Sequence, residues 1–119
     1  MGKYIDVFIQ PIPKKKVTEY RKTTKQIGKI LMDHGALASR DYVAEDSNAT
    51  KDSFPKKIKL KTGEVLIFAV AEFKSKAHRE KVFKAMSKDP RMKKIQMNSD
   101  YMDHKRAVVG GFSMLVNLQ

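Results

Sequence analysis

The order of elements in this chain predicts an α+β fold, a ferredoxin-like βαββαβ sandwich in which an antiparallel sheet carries two helices on one face. Three observations lead there. Four separated runs are rich in β-branched and aromatic residues, two stretches between them repeat apolar residues at three- and four-residue spacing, and only residues 47–57 form a long polar interruption.

The first run, Tyr4 to Gln10, alternates Ile5, Val7 and Ile9 with Tyr4, Asp6, Phe8 and Gln10, and it reads as a strand ending at Pro11 and Pro13. From about Lys16 a helix follows. Val17, Tyr20, Thr24, Ile27 and Leu31 share one side of it, Lys22, Lys25 and Lys29 mark the other, and Gly35 is placed to end it. Leu37 to Asp46 is a weaker strand, and "SNATKDSFPKK" reads as a polar loop.

Gly63 to Phe73, "GEVLIFAVAEF", is apolar on both faces except at Glu64 and Glu72, as a central strand would be. Ser75 is a natural N-cap for a second helix, with Val82, Phe83 and Met86 inward and Lys81, Lys84 and Lys88 outward. "SKDPRMKK", Ser87 to Lys94, closes that helix and opens a short turn, because Asp-Pro suits an N-cap followed by the first helical position. Arg106 to Leu118 is the last strand, and Gly110-Gly111 within it signals a bulge or a close backbone approach.

Such a sheet has one face without helices. Parity within the first strand assigns the all-aliphatic set, Ile5, Val7 and Ile9, to the helices. Tyr4, Asp6, Phe8 and Gln10 then line the open face, joined by Leu66, Phe68, Val70 and Glu72 from the third strand. Monomers seldom leave so large an apolar surface in water, and a second copy is its simplest cover. Two such sheets face to face would close a two-fold α/β barrel with a cavity between them.

A chain of 119 residues supports one domain with a real core, here residues 1–119. With no cysteine, disulfides, thiolate metal sites and a cysteine nucleophile are excluded, which suits a reducing cytoplasm. "MGKYIDVFIQ" is interrupted by Lys3 and Asp6 and does not read as a secretory h-region. No apolar run approaches the ~20 residues of a membrane span, so no membrane partner is expected. Asn48-Ala49-Thr50 is then a chance sequon.

A net charge of +12 draws polyanions by salt-sensitive attraction. The basic residues are 20 Lys and only 5 Arg, and there is no Trp. Planar guanidinium recognition and base stacking are therefore poorly provided for, and the lysine rows read first as a solvated surface.

"KYIDVF", "HGAL", "FAVAEF" with "SKAHRE", "SKDPRMKK" and "DHKRAVVGGF" occur in an order that resembles the YbaA-like family of small uncharacterised bacterial proteins. The likeness runs from Lys3 to Phe112 and departs from the family pattern at "ASRDYVAED". It implies the dimeric α/β-barrel architecture and no particular activity.

Several residues could carry chemistry. Asp6 and Glu72, on antiparallel neighbouring strands, are expected to approach on the open face, where two carboxylates could tune each other as acid and base or form ion pairs. Phe8 and Phe68 would line the inter-sheet cavity with them. Arg91 would hold a carboxylate, such as Asp6, Glu72 or Asp103, or an anionic ligand, and Arg106 would pair with Asp6 or Glu72 or line the ligand cavity. Lys22, Lys25, Lys29, Lys81, Lys84 and Lys88 are the candidates for a polyanion face.

His34, His78 and His104 share no metal-ligand spacing, and His104 is the one to check. No phosphate loop, hydrolase triad or dinucleotide fingerprint implies a cofactor. Three function classes remain open. They are a small-molecule-binding homodimer or minor enzyme, a nucleic-acid or other polyanion binder, and a purely structural or interaction dimer.

Overall fold

The computed structural model describes residues 3–45, 52–96, 103 and 105–119. The sequon and His104 lie outside them. Strand β1 (Tyr4–Pro13) leads through a 3₁₀ turn at Lys14–Lys16 into helix α1 (Val17–Asp33) and strand β2 (Ala38–Val43). Helix α2 (Phe54–Ile58), strand β3 (Glu64–Phe73), helices α3 (Lys76–Ser87) and α4 (Pro90–Gln96) and strand β4 (Val108–Ser113) follow. The sheet order is β2-β3-β1-β4, antiparallel at every pairing. This is the ferredoxin-like arrangement that the element order predicts.

Local signals explain most boundaries. Gly35, at φ +107°, takes the conformation that ends α1, and the Ala36 N–H returns to the Leu31 carbonyl at 3.0 Å. Ser75 caps α3, its Oγ accepting from the His78 N–H at 3.0 Å.

Four expectations are corrected. β1 continues through both prolines to Pro13. The "polar loop" holds α2, with Pro55 in its first turn and Lys59 in the left-handed region after it. "SKDPRMKK" opens the seven-residue helix α4 rather than a turn. β4 is shorter than the run that suggested it, and Gly110-Gly111 lies in unbroken register with Val7 and Asp6, so there is no bulge there.

The larger correction is the parity of β1. Tyr4 opposes Phe73, Asp6 opposes Ala71, Phe8 opposes Ala69 and Gln10 opposes Ile67. Tyr4 and Phe73 belong to the core under α1 and α3, with Ile30, Leu31, Val82 and Met86. These four residues of β1 therefore face the helices, and Ile5, Val7 and Ile9 occupy the open face beside Glu72, Val70 and Phe68.

The physical reason is complementarity. On the helix side β3 offers small Ala69 and Ala71, which leave room for the longer β1 side chains, and those side chains have polar partners there. Arg79 of α3 reaches Asp6 at 3.1 Å. Tyr4 lies across β4 at Gly111, where an added Cβ would run into its ring and hydroxyl. That is the close approach the glycine pair signals.

Gly111→Ala should force Tyr4 out of the core and destabilise the protein by about 1–3 kcal/mol, as overpacking typically does. Gly110→Ala meets only ordinary contacts at 3.6 Å with Phe112 and should cost less. Denaturant unfolding of both variants checks this.

Candidate functional site

Where the central strand carries alanine, its side chains leave the space between the sheet and the helices unfilled. Across the helix face, one row reads Ser39, Ala71, Asp6, Gly111, and the next reads Asp41, Ala69, Phe8, Val109. Above them a hollow of about 610 Å³ opens between the sheet and α1, α3 and α4. Ile27, Leu31, Phe83, Met86, Met92 and Ile95 make its apolar walls. A volume of that size is in the range of small-molecule pockets.

The polar groups gather at two places. On the β2 side, Asp41 Oδ2 accepts from the Tyr20 hydroxyl at 2.6 Å and from the Thr24 hydroxyl at 2.9 Å. Tyr20 and Thr24 are one helical turn apart on α1, which is why both reach one carboxylate. Burial first, and then the Asp41 carboxylate that accepts its hydrogen bond, push the Tyr20 phenol well above its ordinary range, so it stays a donor. Gln10 lies against the same hydroxyl, and its own Oε1 is buried without a hydrogen-bond partner among the described residues.

On the β1 side, Asp6 is neutralised by Arg79, whose guanidinium also stacks over Phe83 at 4.3 Å. The two carboxylates thus differ: Asp6 faces a cation, whereas Asp41 is held by neutral hydroxyls.

The predicted constellation is not assembled. Asp6 and Glu72 stand on opposite faces of the sheet, because Glu72 opposes Ile5 while Asp6 opposes Ala71. Glu72 is paired with Arg40 at 2.9 Å on the open face. Phe8 lines the helix-side hollow, and Phe68 meets Tyr42 edge-on across the open face, with centroids 6.2 Å apart. A single cavity shared by these residues does not form within the protomer.

Arg91 grips neither Asp6, Glu72 nor Asp103. It binds Asp89 through Nη2 at 2.7 Å and Asp33 through Nη1 at 2.9 Å, and so ties α4 to the end of α1. His34 joins Asp89 at 2.9 Å. Hydrogen bonds from Arg91, and then from His34, hold the Asp89 carboxyl well below the usual carboxylate range.

Arg106 forks onto Glu64 at 2.6 and 2.7 Å and onto Asp103 at 2.8 Å, fastening the approach to β4 against the start of β3. Both arginines are bound to carboxylates of their own protomer, and neither reaches Asp6 or Glu72. Lys22, Lys25 and Lys29 on α1 and Lys81, Lys84 and Lys88 after them are all exposed. Among the described residues no group of three His, Cys, Asp or Glu side chains could hold a metal ion. No helix among them is long and apolar enough to cross a membrane.

Tyr20, Thr24, Ser39, Asp41, Ala69 and Ala71 were not singled out by sequence reasoning. Their signal is faint but present. Tyr20 and Thr24 are polar-tipped residues on an otherwise apolar stripe, and Ala69 and Ala71 are small residues at alternate positions of a central strand.

The family model for a protein of unknown function, DUF1428, matches residues 3–103. The chain belongs to the DUF1428 family. Among curated proteins none matches it. Solved structures are similar in fold over nearly the whole chain. At3g17210 from Arabidopsis thaliana has a TM-score of 0.60 at 12% identity, covering 97% of this chain and 99% of its own. Rv0793 from Mycobacterium tuberculosis has a TM-score of 0.57 at 10% identity, covering 98% and 99%. A protein from an uncultured marine organism, described as a dimeric ferredoxin-like protein, has a TM-score of 0.58 at 9% identity, covering 100% and 93%. At these identities the likeness concerns the fold alone.

The Arg106 fork carries a pH prediction. Arg106 hydrogen bonds hold the Glu64 and Asp103 carboxyls below their ordinary values. A carboxyl lowered in the folded state adds stability above its unfolded pKa, about 4, and that stability is lost as pH falls through the lower folded value. Arg106→Gln should therefore be less stable than wild type at pH 7, and the gap should shrink as pH is lowered below about 4. Urea midpoints measured across pH 2–8 check this.

Proposed function

We propose that this DUF1428 chain is a homodimer joined through its open sheet face, and that each protomer binds a small apolar amine in the helix-side hollow. The observation that carries the ligand reading is the Asp41 carboxylate, held by two neutral hydroxyls at the end of an alanine-floored apolar cavity. The cavity walls suit an apolar body. The charge on Asp41, with no ion pair among the described residues, suits a cationic end. No covalent chemistry is required by this arrangement, and the reading is of a binding protein.

The dimer reading rests on the open face. Ile5 and Ile9 stand beside Val70 and Phe68 around the already buried Val7, Phe54 and Pro55 of α2 lie near Ile9 and Phe68, and Tyr42, Val108 and Phe112 are exposed toward its two edges. Corrected parity makes this face more aliphatic than the sequence implied, and the marine ferredoxin-like relative is itself dimeric. Two sheets meeting here would close the α/β barrel, with residues 1–119 acting as one domain in each half. A cytoplasmic setting fits the absence of cysteine.

Tryptamine and its neutral counterpart 3-ethylindole are suitable probes, followed by calorimetry and thermal unfolding. Tryptamine at tenfold excess over Kd should raise wild-type stability by about 1.4 kcal/mol. Ala69→Leu, which fills the floor, should abolish the effect, and Asp41→Asn should remove the preference for the amine. Equal response of wild type and Ala69→Leu, or no response to either compound, would contradict the cavity reading.

A further inference from the structure

Gln10 is only 1% exposed, at a depth that a hydrocarbon side chain ordinarily fills. Its orientation follows from one proton. The Tyr20 hydroxyl carries a single hydrogen, and that hydrogen goes to Asp41 Oδ2 at 2.6 Å. Gln10 hydrogen-bonds the same hydroxyl, so it can only donate to it, through its NH2 group. The carbonyl end is thereby turned away from Tyr20, and Oε1 has no partner among the described residues. A buried acceptor left unpaired costs free energy, which a bound donor would recover.

The neighbouring hydroxyls do not supply that donor, because Tyr20 and Thr24 both spend their hydrogens on Asp41 Oδ2, at 2.6 and 2.9 Å. Gln10 and Asp41 thus flank one phenol oxygen, Gln10 buried and Asp41 exposed, and both line the hollow. A bare positive charge satisfies Asp41 alone. Serving both acceptors takes a cationic head with two N–H groups. At the other polar place Asp6 is already neutralised by Arg79 at 3.1 Å, so a second cationic end on the ligand finds no unneutralised carboxylate there.

We propose that Gln10 reads the number of N–H groups on the ligand's cationic end: the hollow takes primary and secondary ammonium ions, which give one hydrogen to Asp41 and one to Gln10 Oε1, and rejects tertiary ones, which carry a single hydrogen. This deepens the amine reading above and rests on it. The carboxylate attracts any cation, whereas the amide carbonyl chooses among cations. A tertiary head leaves Oε1 unpaired where water does not reach it.

Calorimetry of the full-length chain with tryptamine, N-methyltryptamine and N,N-dimethyltryptamine, all monocations at neutral pH, tests this. The first methyl should change Kd by less than about threefold, and the second should weaken binding by about tenfold or more. In Gln10→Met, which keeps the length of the side chain and removes its carbonyl, the step at the second methyl should vanish while tryptamine still outbinds 3-ethylindole. Equal losses at each methyl, or a step that persists in Gln10→Met, would assign the discrimination to crowding and overturn the role of Gln10. Equal binding of all the amines would overturn it too and leave the amine site standing. Failure of tryptamine to bind the wild type would overturn both. The wild-type series decides by itself should Gln10→Met fail to fold.

Discussion

The register of β1 on β3 is the constraint from which the rest follows. Asp6 opposite Ala71 sends Tyr4, Phe8 and Gln10 toward the helices and turns Ile5, Val7 and Ile9 outward. A shift by one residue would reverse every side chain and leave Asp6 without Arg79. The same register creates the hollow, because the large residues of β1 stand beside the alanines of β3. It also creates an aliphatic outer face.

How much was legible follows from where the signals were one-sided. β3 is flanked by turn formers, α3 has a serine cap, and α1 has a glycine at its end, so order and architecture could be read. β1 is apolar on both parities, and period-two alternation cannot decide which set is core. Its aromatic and polar set went inside because Arg79, Tyr20 and Gly111 provide partners and space, and those partners are distant in sequence. The expected meeting of Asp6 and Glu72 failed for the same reason: each strand was assigned a face separately, while cross-strand register couples the two.

The partners of Arg91 and Arg106 were not legible in the sequence. Each closes onto carboxylates close in sequence as well as distant, Asp89 with Asp33 and Asp103 with Glu64. The hollow was not legible because it is made by absence of bulk at Ala69 and Ala71, and small residues carry little signal beyond permitting a strand. Asp41 sits in the strand with the weakest pattern, where alternation of Ser39 and Asp41 with Arg40 and Tyr42 gives no apolar face to read.

The outward aliphatic face links fold to assembly, and it can be tested without any ligand. Sedimentation equilibrium of the wild-type chain, 13.6 kDa as a single copy, should return twice that mass at micromolar concentration. Phe68→Glu, which places a charge at the centre of the face, should return the single-chain mass while keeping its far-ultraviolet circular dichroism. A wild-type chain that stays monomeric at high concentration would contradict the account at its centre.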